Sequence, residues 1–472
     1  MTLQSFHYLL FLAVVVGLGW ALRGRPAARK NLLLLASYYF YACWDWRFLS
    51  LLLLITLLSH GVALRMAAAP RPGVRRAWLA AALVVLLAVL AAFKWAGFFE
   101  AGAAALLHAL GLQAHLPVLR LLLPLGLSFF TFQAMSYLID VYRGQQPACA
   151  SLRDVALFVA FFATVQAGPV TRGRDLLPQL AALPPFEPAC LQHGLALIVR
   201  GFVKKIVFAD TLALHWVDPA FAHPAQFSGL FLLLALYAYS FQLYMDVSAY
   251  TDLARGSAFM CGLRLPKNFN RPYIASSVSN FWQRWHQSVS SFFRDYVFVS
   301  LGGSRRGAVY LNLMVTFVLI GVWHGAGWHF LLYGALHGAV ICLERWHRRR
   351  RTALGLPPLP QAGLGWLARV AITFNFVAFS RLLFRSADLD AAAAYLAALG
   401  TGLHGALPLS PQGLLALCGA AALHWLAPQA GARALALFKQ ASATLQGLAL
   451  ALLGYGMLAL SVGGMPFLYF RF

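Results

Sequence analysis

A chain of 472 residues that is 61% hydrophobic and only 11% charged lacks the polar surface to coat a water-soluble globule of its size, and its mean hydropathy of +0.70 places it in a membrane. Its apolar runs are continuous and not alternating, which excludes a transmembrane β-barrel. Thirty-seven Lys and Arg against fourteen Asp and Glu give a net charge of +23; in so apolar a chain this excess points to orienting loops on anionic phospholipid or to a phosphorylated small donor, and argues against nucleic acid.

Runs of about 20 apolar residues, the length that spans a bilayer, recur from Ser5 to Leu460. They predict an all-α, multi-pass integral membrane protein with about ten to twelve transmembrane helices plus short re-entrant or interfacial ones. The first run, Phe6 to Leu22, has no basic residue before it and is followed by Arg23, Arg25, Arg29 and Lys30. That reverses the charge order of a cleavable signal, so the segment reads as a retained helix with the following loop in the cytoplasm. Residues 1–100 read as scaffold helices, with the aromatics of "NLLLLASYYFYACWDWRFL" as an interfacial belt.

Between residues 121 and 343 the apolar runs are broken by Asp, Asn, His, Gln, Arg and aromatic residues. Polar groups at membrane depth are costly and tend to line cavities, so chemistry is expected in this core. Asp140 and Asp252 are expected to pair with Arg143 and Arg255 at i+3, or to cap helix ends. In "SNFWQRWHQSVSSFFRDYVF", Gln283, His286, Gln287, Ser290 and Arg294 fall on one face of a continuous amphipathic helix, opposite Trp282 and Trp285. "KNFNRPY" before it, with Asn270, reads as extended ahead of Pro272. "LGGSRRG" after it, with Arg305 and Arg306, reads as a turn that could touch an anionic donor.

The sharpest signal is "VTFVLIGVWHGAGWHFLLYGALHG", Val315 to Gly338. His324 closes a nearly unbroken apolar run. It reads either as a hydrogen-bonded structural group or as a neutral imidazole able to act as a general base. Trp323 offers an indole N–H beside it, and Gly325 and Gly327 can unwind the helix. His329 and His337 share no straight face with His324 and no carboxylate completes a set, so no metal site is expected. The six cysteines follow no disulfide or zinc spacing.

Past the Arg345–Arg351 cluster and the Pro-rich "LGLPPLPQAG", residues 364–472 return to apolar helices, among them Leu364 to Phe384 and Ala391 to Leu399. Asp388 and Asp390 have the letters of a D-x-D metal motif but are expected to cap the Ala-rich helix after them. No internal repeat is found. The whole chain, 1–472, reads as a single membrane-embedded domain.

In order, "NFNRPYIASSVSNFWQRWHQSVSSFFRDYVFVSLGGSRRG" and "GVWHGAGWHFLLYGALHG" resemble the membrane-bound O-acyltransferase family. The likeness is to the bacterial branch typified by the alginate O-acetylation membrane protein, and less to the D-alanyl transfer protein of teichoic acid modification. It extends to "LPLGLSFFTFQAMSYLIDVYRG", "GFVKKIVFAD", "MDVSAYTDLARG" and the terminal "FLYFRF". Where the family often has "FFPQLVAGPI" this chain has "FFATVQAGPV", which puts helix placement there in doubt.

The resemblance implies a central funnel in which His324 is the catalytic histidine and His286 a second family histidine on the cytosolic side. It implies no permanently bound cofactor. Acetyl-CoA is the implied acyl-donor substrate; His286, Gln287, Arg294 and the Lys204–Lys205 and Arg305–Arg306 pairs, with Trp285 and Asn270, are this chain's candidates to guide it, and the Trp323 N–H or backbone N–H groups at the Gly-Ala-Gly break are the candidates to hold the oxyanion. The acetyl group crosses the bacterial inner membrane toward hydroxyls of an exported polysaccharide, with a periplasmic acetyltransferase-type partner, since the chain carries no G-x-S-x-G nucleophile motif. D-Alanyl transfer to teichoic acid stays open as an alternative. So does a transporter or flippase of an acyl or glycan intermediate, which a broken helix would equally serve.

Overall fold

Backbone N–H and C=O groups in lipid must be satisfied within the chain, which favours helices throughout. The computed structural model describes residues 1–111, 122–185, 187–305, 308–426, 433, 436–438, 440–460 and 467. Regular structure among these residues is helical, with one isolated bridge between Phe227 and Ala406. Among the described residues, four segments are long and apolar enough to cross a membrane: Pro26–Ala68, Pro72–Lys94, Gly229–Met260 and Leu364–Arg385. Shorter apolar helices include Phe6–Ala21 and Val309–His324. Arg306 and most of the terminal "FLYFRF" lie outside the described residues.

The helices start where the chain supplies caps. The side chains of Ser5, Ser151 and Ser277 each accept a hydrogen bond from an N–H of the first helical turn, and prolines open the Pro26 and Pro72 helices. Asp388 accepts the Ala391 N–H at 2.8 Å and caps the helix Leu389–Leu399, as its position predicts.

The chain forms two compact units. One comprises Met1–Leu197, Leu253–Pro266 and Arg294–Tyr296. Its core packs Phe11 edge-on against Phe162 and holds a buried ion pair, Lys30 to Asp154 at 3.0 Å. The doubtful "FFATVQAGPV" stretch is a buried run of turns after the helix Leu152–Ala160. Asp140 takes the Tyr296 hydroxyl at 2.8 Å and lies 4.0 Å from Arg174, while Arg143, its expected partner, donates to the Asp295 carbonyl.

The second unit comprises Ile198–Asp252, Lys267–Phe293 and Val297–Phe472. Asp252 is bound by Arg200 and by Lys204 at 2.7 Å, residues 52 and 48 positions away, so its ion pairs are tertiary and lie beyond the local i+3 reading. Two stretches here, Val203–Asp210 and Ala213–Val217, are wound as π-helix.

Helices Val309–His324 and Trp328–Ala353 pack backbone to backbone. A Cβ on Gly321 would lie 2.2 Å from the Phe330 carbonyl oxygen, and one on Gly334 would lie 2.4 Å from that of Phe317. Small residues at such crossings let helices gain close dispersion contact in a medium that supplies no hydrophobic drive between them.

The expected continuous helix around His286 is broken. Val278–Arg284 ends at Trp285, His286 adopts a left-handed backbone (φ 44°, ψ 53°), and Gln287–Phe292 restarts the helix. The competing bonds come from the segment before it. The Gln287 N–H donates to the Asn268 carbonyl (2.8 Å), the Ser288 N–H to the Asn268 side chain (3.0 Å), and the Asn270 N–H to the Arg284 carbonyl (2.9 Å). Gln283, His286, Gln287, Ser290 and Arg294 therefore do not form one polar stripe.

Two substitutions check this packing in detergent-solubilised protein. Gly334→Val should destabilise by about 1–3 kcal/mol, because the backbone facing it cannot retreat. Asn268→Ala strands a buried N–H and should cost about 1–3 kcal/mol. Asn270→Ala keeps its backbone bonds and should stay within about 0.5 kcal/mol; equal melting shifts for Asn268→Ala and Asn270→Ala would contradict this account of the helix break.

Candidate active site

The helix Val309–His324 ends on His324 because the next residues are extended: Gly325 has φ −169° and Gly327 φ −172°. These values suit any residue, so the glycines are required by space. A Cβ on Gly325 would lie 2.0 Å from the Phe330 ring, and one on Gly327 2.4 Å from the His329 ring. The break is therefore covered by the side chains that follow it.

His324 is 7% exposed. Its ring lies 4.6 Å from Trp323, 4.9 Å from Phe384 and 6.0 Å from Tyr333, centroid to centroid. Trp323 also faces His286 at 6.2 Å and Phe293 at 6.1 Å. Both sequence-predicted histidines thus flank one buried indole. On its other side His286 stacks on Phe269, the planes within 5°. Burial pushes the His286 imidazole down to about 3, so this ring is neutral through the physiological range.

His337 is fully enclosed and engaged. The Trp282 indole N–H donates to Nδ1 at 3.1 Å, which leaves the ring hydrogen on Nε2 to donate to the Ser380 hydroxyl at 2.9 Å. Ser380 passes its own hydrogen to the Val377 carbonyl. That is a satisfied structural histidine. Glu344, on the same helix, accepts the Val278 and Ser279 N–H groups and fixes the start of the 278–284 helix.

The other predicted residues are distributed differently. Trp285 is buried beneath the Arg381 guanidinium, 4.4 Å from its ring centre, and packs edge-on against Phe269. Gln287 is half-buried and donates to the Gln283 carbonyl. Asn270 is exposed and exchanges backbone bonds with Arg284. Lys205 is buried between Asp210 and Asp246, each at 2.8 Å. Arg294 belongs to the other compact unit and pairs with Asp295 at 2.7 Å. Arg305 is exposed on the glycine turn.

Arg381 was missed. It is 2% exposed in an apolar helix, donates to the Ser240 carbonyl and the Tyr273 hydroxyl, and stacks over Trp285, Tyr273 and Phe281. Among the described residues no carboxylate lies within ion-pair distance of it. The aromatic faces supply the counter-field. Its signal was legible: an arginine inside the hydrophobic run 364–385 is costly for the same reason as the polar residues of the core. Tyr333 and Phe384, which touch His324, carry no signal in sequence.

An imidazole at the end of a helix, backed by an indole and next to an unwound glycine segment, can in its neutral form accept a proton from a hydroxyl and return it to a leaving group. The family model for the membrane-bound O-acyltransferase family matches residues 146–381. The chain is 41% identical over 394 residues to a probable alginate O-acetylase AlgI of Azotobacter vinelandii, covering 81% of this chain and 74% of that one. It is 40% identical over 397 residues to the AlgI protein of Pseudomonas aeruginosa, covering 82% and 73%. A peptidoglycan O-acetyltransferase of Helicobacter pylori is 33% identical over 416 residues, 80% and 75% of the two chains. With the family model spanning half of its length and these relatives most of it, the chain belongs to the membrane-bound O-acyltransferase family and is a multi-pass membrane O-acyltransferase.

Proposed function

We propose that this protein takes an acetyl group from acetyl-CoA on the cytosolic side of the bacterial inner membrane and delivers it toward hydroxyls of an exported polysaccharide. The observation that carries this reading is His324, buried at a helix end against Trp323 where the chain unwinds through Gly325–Gly327. The O-acetylated polymers in the relatives' names, alginate and peptidoglycan, support acetyl as the acyl group and a glycan as its destination.

In this mechanism an acceptor hydroxyl gives its proton to the neutral His324 ring as its oxygen attacks the thioester carbonyl carbon. The tetrahedral oxyanion is held by N–H donors, for which Trp323 and the backbone at Gly325–Gly327 are the candidates. The C–S bond then breaks, the new C–O ester remains, and the imidazolium returns its proton to the departing thiolate. His286, on the far side of Trp323, orients the indole and borders the donor's approach. A funnel open to both compartments, within a bundle of about ten to twelve spans, brings donor and acceptor together, and a periplasmic acetyltransferase-type partner carries the group onto the polymer.

With labelled acetyl-CoA and purified protein, His324→Ala should lower acetyl transfer by about 10²- to 10⁴-fold while the melting temperature stays near that of the parent. Full transfer by this variant would overturn the assignment. Absence of thioester cleavage in the parent as well, with movement of a glycan or acyl intermediate, would establish a transporter instead.

A further inference from the structure

The charges of Arg271 and Arg284 reach one another in the second compact unit. Arg271 is half-buried in a left-handed backbone (φ 44°, ψ 68°) ahead of Pro272. Arg284 is half-buried at the end of its short helix, and its guanidinium donates only to neutral oxygens: the Asn280 side chain at 2.9 Å and the Asn270 carbonyl at 3.2 Å. Among the described residues no carboxylate lies within ion-pair distance of either arginine. Desolvation, and then the charge of Arg271, hold the Arg284 guanidinium below its ordinary range.

The neighbours make the imbalance larger. Arg200 and Lys204 share the single carboxylate of Asp252, and Tyr244 stands within reach of the charges on Asp252, Arg200 and Arg271. Among the described residues Asp252 is thus shared by two cations, and Arg271 and Arg284 add two more in the same compact unit with no carboxylate within ion-pair distance. Tyr244, Phe269, Tyr273 and Trp285 line this region with aromatic faces, Tyr244 lying 5.8 Å from Phe269 and 5.6 Å from Tyr273.

An independent observation comes from His424. It is 2% exposed, packs 5.2 Å from Tyr244 and 5.1 Å from Tyr273, and its Nε2 accepts the Tyr273 N–H at 3.1 Å. The neutral ring therefore carries its hydrogen on Nδ1, a buried donor for which the described residues supply no acceptor. The charges of Arg271, Arg284 and Lys204 all reach this ring. Unpaired cations, an unsatisfied buried donor and flat aromatic walls together call for an anionic ligand with hydrogen-bond acceptors, which a phosphoryl group supplies.

We propose that Arg271 and Arg284, with His424 behind them, bind the phosphoryl groups of a CoA-type acyl donor. This rests on the acetyl-transfer reading above and adds to it the residues that recognise the donor. Arg271 and Arg284 hold the phosphates by charge-assisted bonds, while Lys204 adds attraction through its shared pair with Asp252. The thioester arm is left free to extend away from the site.

The test is equilibrium binding to the full-length protein in phosphatidylcholine nanodiscs, which needs no turnover. In the unaltered protein, affinity should fall from CoA to phosphopantetheine to pantetheine as phosphates are removed; equal affinities overturn the proposal without any variant having to fold. Arg271→Gln and Arg284→Gln should each reduce the preference for CoA over pantetheine about tenfold, and an undiminished preference in the double variant also overturns it. If the parent shows no such preference but retains phosphatidylglycerol through these arginines, the site belongs to a lipid headgroup and the proposal falls. CoA held through these arginines by a protein that transfers no acetyl group would keep the site and sink the role given to His324.

Discussion

The polar centre of this protein depends on two helices approaching more closely than side chains ordinarily permit. Gly321 and Gly334 bring the backbones of Val309–His324 and Trp328–Ala353 together, and the connection between them is only Gly325–Gly327. Phe330 then closes onto Gly325, where no Cβ could fit. His324 is left as the last helical residue, turned among Trp323, Tyr333 and Phe384. A helix end in an apolar interior costs unsatisfied carbonyls, and the close approach of the hairpin is what makes such an end tolerable at this point.

The same economy governs the charges. Asp252 has two cations and Lys205 has two carboxylates, so each buried charge of that region is overpaired by neighbours brought from far along the chain. Arg381 follows a different rule, its charge spread over three aromatic faces and two oxygen acceptors. Against these settled ions, Arg284 donates only to neutral acceptors and feels the charge of Arg271, and among the described residues neither has a carboxylate within ion-pair distance. Like charges gathered without counter-ions set up a local positive potential that attracts anions.

Trp323 lies between the two histidines, its ring 4.6 Å from that of His324 and 6.2 Å from that of His286. His286 is held in turn by its left-handed backbone and by Phe269, so its position is set by the "KNFNRPY" segment as much as by the helices.

The amino-acid sequence by itself determined the helical membrane class, the break after His324, the capping role of Asp388 and the family, because apolar run length, glycine spacing and ordered motifs are local properties of the chain. It did not determine the course of the chain at His286. Periodicity predicts a helix through Trp285 and His286, and hydrogen bonds donated by that turn to Asn268, with one it accepts from the Asn270 N–H, interrupt it. The partners of Asp252, the aromatic cage of Arg381 and the pairing of Arg271 with Arg284 were likewise decided by tertiary structure. These join residues from 13 to more than a hundred positions apart, and a one-dimensional pattern holds no record of which distant side chain pays the desolvation of a buried charge.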